Sequence, residues 1–131
     1  MPEVEFARET LAFVQFFLRM GVTNVWIYRM LIGRLYYAGH HLGRRLLMEA
    51  GMSPDQWRAN VHRQVLQELQ RHFVLTGRMS QEALDALSEL RQLRRTADYD
   101  LVRLIRLRNV RHALALFVRF ADEAFQILGV S

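Results

Sequence analysis

Apolar side chains return along this chain every three to four residues, the repeat of a helix face, and nowhere alternate singly as a half-buried strand requires. The longest run lies in the first half. Ile27, Leu31, Leu35, Ala38, Leu42 and Leu46 form one stripe with Tyr28, Ile32, Tyr36 and Leu47 beside it, so this segment is apolar on two sides and belongs at the centre of the fold. Near the C-terminus, Ala113, Leu116, Phe117, Phe120, Ala124, Phe125 and Leu128 repeat the spacing, as packing against that centre demands. The periodicity breaks near Gly21, Gly51 and Gly77. Between the breaks it predicts helices at 4–19, 24–50, 54–75, 80–95 and 102–128. Start and stop signals agree: Asn24 and Ser80 can cap their helices, Ser53-Pro54 supplies a cap followed by proline at the first helical position, and Gly51 can end the second helix. The expected fold is all-α, a four- to five-helix up-and-down bundle. With 131 residues and no linker, internal repeat or low-complexity stretch, the chain 1–131 reads as one domain.

Composition narrows the function by exclusion. Hydrophobic residues make up 51% and charged residues 24%, the balance of a chain that buries a core rather than of a disordered one. The strongest apolar stretches, Leu11 to Leu18 and Val25 to Ile32, fall well short of the roughly 20 residues that span a bilayer. Glu3, Glu5 and Glu9 stand where a secretory signal would carry basic residues, so a cytoplasmic protein with no membrane association is expected. Cysteine is absent, which removes disulfides, thiolate ligands and a thiol nucleophile. His62 and His72 lack a partnering carboxylate pattern, and the sequence has no glycine-rich phosphate loop, Gly-x-Ser-x-Gly elbow or His-Glu-x-x-His helix. Neither a metal nor a cofactor is expected.

Charge says more. Every basic side chain is arginine, which holds phosphate or carboxylate through a planar fork, although a GC-rich genome would also replace Lys by Arg. Position helps to separate the two explanations. Arg91, Arg94, Arg95, Arg103, Arg106, Arg108 and Arg111 face only Asp98 and Asp100 in their segment, a surplus equal to the net charge of the whole chain, +5. A localised positive field favours nucleic acid or an acidic partner over a neutral metabolite.

Two constellations could carry chemistry. Arg34, Tyr37, His41 and Arg44 project from one side of the second helix, either as a cradle for phosphate or RNA or as two packed rings flanked by solvated arginines. Arg94 and Asp98, four residues apart, either form a site or make an ion pair that stitches the helix join with Tyr99 packed beneath. Trp26 and Trp57, near helix starts, read as packing anchors.

Arg94, two intervening residues and then Ala97-Asp98-Tyr99 resemble the R-x-x-A-D-Y signature of a prokaryotic branch of the HEPN superfamily of small helical proteins. Three further stretches match that branch in order: Arg34-x-Tyr36-Tyr37-Ala38 resembles its R-x-Y-Y-A motif, His62 to Val65 its His-x-x-Val element, and Thr76-Gly77-Arg78-Met79-Ser80 its T-G-x-hydrophobic-S step. The resemblance covers most of Gly21 to Leu128. It implies a four- or five-helix bundle that commonly dimerises, in a superfamily that includes RNA-cleaving toxins and the partners of minimal nucleotidyltransferases. Nucleases of the superfamily carry Arg and His four to six residues apart, forming a metal-independent site across a dimer. Here the turn after Arg94 offers Asp98 and Tyr99 and no His, and the formal match, Arg106 with His112, falls inside the expected last helix. The implied function is binding of RNA or of a minimal nucleotidyltransferase by a homodimer, in a toxin–antitoxin-like system. The alternatives are a metal-independent endoribonuclease toxin, which needs a base of near-neutral pKa beside a cation that stabilises the phosphate, and a non-catalytic assembly module. Arg94, Asp98 and His41 are the catalytic candidates. Arg34, Tyr37, Arg44, His62, Arg95, Tyr99, Arg106 and His112 are the candidate contacts to RNA or partner.

Overall fold

Two side-chain caps set the starts of the long helices, as their residue types lead one to expect. The Asn24 carboxamide oxygen accepts from the backbone N–H of Trp26 and Ile27 at 2.9 and 3.1 Å, and the Ser80 hydroxyl accepts from that of Ala83 at 3.1 Å. The computed structural model describes residues 1–130, and among these residues the fold is all-α with no strand. Five helices pack against one another: α1 Pro2–Arg19, α2 Val25–Glu49, α3 Val61–Leu69, α4 Gln81–Tyr99 and α5 Leu107–Leu128. None is long and apolar enough to cross a membrane.

The 25-residue α2 touches all four other α-helices, which explains its two apolar sides. Leu31, Leu35, Ala38, Leu42 and Leu46 are buried together with Tyr28, Ile32, Tyr36 and Leu47, and they meet Ala113, Phe117, Phe120 and Ala124 of α5 in one core. Two glycines on α2 let its neighbours approach closely. A Cβ on Gly39 would stand 2.9 Å from Leu87 Cδ1 of α4, and one on Gly43 would stand 3.1 and 3.2 Å from Leu69 and Val65 of α3. Opposite the Ser80 cap, Glu123 of α5 accepts from the Ser80 N–H at 2.8 Å and from its hydroxyl at 2.6 Å, tying the start of α4 to the end of α5.

The expected third helix, 54–75, is broken. Ser53-Pro54 opens only a 3-10 turn, Pro54–Gln56, after which Trp57 is extended. Asn60, in the left-handed region at φ 54°, then turns the chain into α3, and α3 widens at its end into a π turn over Gln70–Val74. Asparagine tolerates that conformation, so a break occurs with no glycine to announce it.

The last two helices also depart from expectation, since α4 runs on to Tyr99 and α5 starts at Leu107 rather than at 102. The cause lies on another helix. Arg29 of α2, only 5% exposed, donates to the carbonyls of Thr96, Ala97 and Asp100 at 3.4, 2.7 and 3.0 Å. It also donates to those of Leu101 and Arg103 at 3.3 and 2.5 Å. A buried cation thus satisfies the carbonyls left open at the end of α4, where the helix dipole favours positive charge, and holds the connecting loop down. Its guanidinium carbon lies 5.6 Å from the centre of the Trp26 ring. Around this end of the molecule Phe16, Met20, Trp26, Met30, Leu101, Val102 and Leu104 are exposed, most of the large exposed hydrophobics of the described chain.

Replacing Arg29 by Met is expected to cost about 3 kcal/mol, because buried carbonyls lose a charged donor. Urea denaturation measures it, and Arg29→Lys should recover only part, since an ammonium lacks the fork. An unchanged midpoint would show that the clamp contributes nothing.

Candidate functional site

Three of the four resemblance motifs lie on α2, α3 and α4, with the step from Thr76 to Ser80 in the turn before α4, and the packing of α3 and α4 on α2 decides which of their side chains meet. Arg94 of α4 sits at the meeting point with its side chain 14% exposed, its Nε 2.9 Å from the Asp98 carboxylate in an i,i+4 ion pair. A terminal nitrogen donates to the Tyr37 hydroxyl at 2.6 Å. The guanidinium carbon lies 5.0, 5.8 and 5.4 Å from the ring centres of Tyr37, Tyr36 and Tyr99. Three aromatic rings and a carboxylate therefore hold one cation in place. Tyr99 is not packed beneath the pair, as the sequence suggests, but stands 72% exposed beside it, because α4 ends there and no helix follows to cover the ring.

His62, one residue into α3, closes the other side. Its Nδ1 is 2.5 Å from the hydroxyl of Tyr36, a residue whose ring is fully buried in α2. Burial pushes the Tyr36 phenol up to about 12, against the pull of Arg91 and Arg94, so it keeps its proton at neutral pH and can donate to Nδ1. With Nδ1 accepting, the neutral ring carries its hydrogen on Nε2, which can donate to a ligand. His62 stacks on His40 with ring centres 4.3 Å apart, and His41 follows 5.6 Å from His40 and 5.5 Å from Phe6.

All three imidazoles are held below their ordinary range. Burial, then His62, His41, Arg44 and Arg91, bring His40 down to about 3. Burial followed by Arg94, Arg91, His41 and Arg44 lowers His62. Burial and Arg44 lower His41, with Glu3 opposing. At neutral pH the imidazoles are neutral, and the charge of the cluster comes from Arg94, paired with Asp98, and from Arg44 and Arg91. Such a site can donate to an anion and hold it, and among the described residues no group of three or more His, Asp or Glu is placed to hold a metal ion.

The α2 stripe does not act as one unit. Tyr37 joins Arg94, Arg44 acts on the imidazoles, His41 reaches the cluster through His40, and Arg34 opens instead towards Phe6, Glu9, Thr10 and Phe13 of α1. The formal Arg106 and His112 pair also separates from the cluster. Arg106 precedes α5 rather than lying inside it, with its N–H donating to the Asn109 side chain at 2.8 Å, and His112 is exposed against Glu89 of α4 at 2.8 Å. Arg95 lies on the neighbouring, exposed face of α4. Sequence reading missed His40, Arg91 and the Tyr36 hydroxyl as parts of the cluster. Their signal was helical spacing alone: Tyr36 to His40 is one turn, and Arg91, Arg94 and Asp98 share a face.

The imidazoles predict acid sensitivity of a definite sign. Because the folded-state pKa of His40 lies below its value of 6.5 in the unfolded chain, protonation favours unfolding. The histidines leave stability unchanged above pH 6.5 and reduce it as pH falls from there towards about 3. Urea midpoints measured from pH 7.5 to 4 should drop, with a shallower slope in His40→Gln; equal slopes would remove His40 from the account. No protein-family model, characterised protein or solved structure matches this chain, so the geometry carries the reading that follows.

Proposed function

We propose that this is a HEPN-type helical protein that binds RNA along the arginine-rich flank of α4 and the loop into α5, acting as a homodimer in a toxin–antitoxin-like setting. The observation that carries the reading is convergence. Tyr36 and Tyr37, His62, and Arg94 with Asp98 come from three separate motifs of the resemblance, and they meet in one cluster built from α2, α3 and α4. Arg95 on α4, Arg103 and Arg106 in the loop that follows, and Arg108 and Arg111 at the start of α5 are all exposed, as phosphate contacts need to be. A minimal nucleotidyltransferase with an acidic face is the competing partner for the same arginines.

Salt separates the two. Fluorescence anisotropy with a labelled single strand should give an affinity that falls steeply with salt, and changing Arg95, Arg103 and Arg106 together to Gln should flatten the log–log slope by about 2 at roughly 0.7 per phosphate contact. Flat or absent binding abandons RNA for a protein partner. A second reading, the metal-independent endoribonuclease, has one observation in its favour: His62 lies close enough to Arg94 for that charge to lower it, and with Nδ1 taken by Tyr36 its Nε2–H can donate to a phosphate oxygen. Cleavage of labelled RNA in chelator, lost in both Arg94→Lys and His62→Gln, would select it.

The exposed apolar end supports the dimer, since monomers seldom leave a large apolar patch in water. Sedimentation should give a dimer for the native chain and a monomer for Val102→Asp, a residue 97% exposed whose replacement spares the core. A native monomer would refute it.

A further inference from the structure

Gln92, Arg95, Thr96 and Tyr99 recur at helical spacing on the outer face of α4 and, with Asp100, line an open cleft of about 580 Å³, within the size range of small-molecule sites. None of these five side chains has a hydrogen-bond or ion-pair partner among the described residues, although each carries donors or acceptors. At one edge stands Tyr99, 72% exposed, its ring backed by the Arg94 guanidinium, which Asp98 and Tyr37 hold still. An aromatic ring left mostly in solvent beside unpaired polar groups offers a stacking surface with hydrogen-bonding capacity next to it.

We infer that this cleft seats a single guanine nucleotide, with the base stacked on Tyr99, its N1–H and N2–H groups donating to the Asp100 carboxylate, and its phosphate on Arg95. Guanine is the base whose pairing edge presents two adjacent donors, which the two oxygens of a carboxylate can accept together, whereas adenine presents a donor beside an acceptor. Arg95 supplies the fork for the phosphate and Gln92 the adaptable amide. The nucleotide can be free or part of a single strand, and in the second case the inference rests on the RNA-binding reading above. A duplex, with its bases stacked and paired, cannot supply the ligand.

The test is NMR titration of the full chain with GMP and with AMP, alongside anisotropy with a guanine-containing single strand and a duplex. GMP should shift the resonances of α4 around Gln92, Arg95 and Tyr99 and bind more tightly than AMP. Tyr99→Ala should weaken binding about tenfold or more while Tyr99→Trp retains it, and Asp100→Asn should erase the preference for GMP over AMP. Because both residues are exposed, these variants should fold as the parent does, which circular dichroism checks. A single strand bound more tightly than both GMP and the duplex, with the same dependence on Tyr99, assigns the cleft to RNA. GMP bound with no RNA bound keeps the cleft as a free-nucleotide site and overturns the RNA reading instead. RNA bound with steep salt dependence but indifferent to Tyr99→Ala and Asp100→Asn, with GMP unbound, overturns this inference and leaves the RNA reading intact. Equal binding of GMP and AMP overturns the assignment of guanine.

Discussion

One buried guanidinium decides how the second half of the molecule is arranged. Arg29 leaves the central helix about seventy residues before the carbonyls that it binds, and its grip on them fixes where α4 stops, how the loop runs and where α5 begins. Desolvating a cation is unfavourable unless its donors are used, and here two terminal nitrogens serve five carbonyl oxygens at a helix end that already attracts positive charge. The position of Tyr99 depends on it. Were α4 to end where its apolar repeat fades, near residue 95, neither Asp98 nor Tyr99 could stand beside Arg94.

The cluster around Arg94 is held in a similar way by mutual satisfaction. The tyrosines are there partly to hold charge and partly to hold position: Tyr37 takes a guanidinium hydrogen bond, and Tyr36 carries the imidazole of His62. Burial keeps the phenol protonated and the imidazoles neutral, so the arrangement is stable where it matters, around neutral pH. The ion pair of Arg94 with Asp98 makes the join rigid and anchors a ring that a ligand could use. The structural role shown for Arg94 and the functional role proposed for it fall on the same side chain, which is why the sequence could not choose between them.

Much of the fold was legible because it rests on local rules. The apolar stripe of α2 and the caps at Asn24 and Ser80 follow from residue types a few positions apart, and the structure places them as expected. What was not legible is non-local or unmarked. Arg29 lies inside the apolar stretch Val25 to Ile32 with nothing near it in sequence to mark its partners, and Asn60 adopts a left-handed turn that an asparagine only permits. In the candidate site, the i,i+4 pairing of Arg94 with Asp98 could be read directly, but its meeting with Tyr37 requires α4 to lie against a particular face of α2. The separation of Arg34 from that group has the same origin, since α1 covers the part of α2 from which it projects.

The close approach permitted by Gly43 has a consequence for how this protein can vary. The helix that touches Gly43 through Val65 and Leu69 is the one that presents His62, so the close approach at position 43 and the seat of the imidazole on the Tyr36 hydroxyl belong to one helix contact. A methyl group there would stand 3.1 and 3.2 Å from the ends of the two aliphatic chains, which must then give by a few tenths of an ångström, by turning or by carrying α3 with them. Where α3 moves the imidazole moves with it, so this one glycine ties what the core tolerates to the alignment of the candidate site.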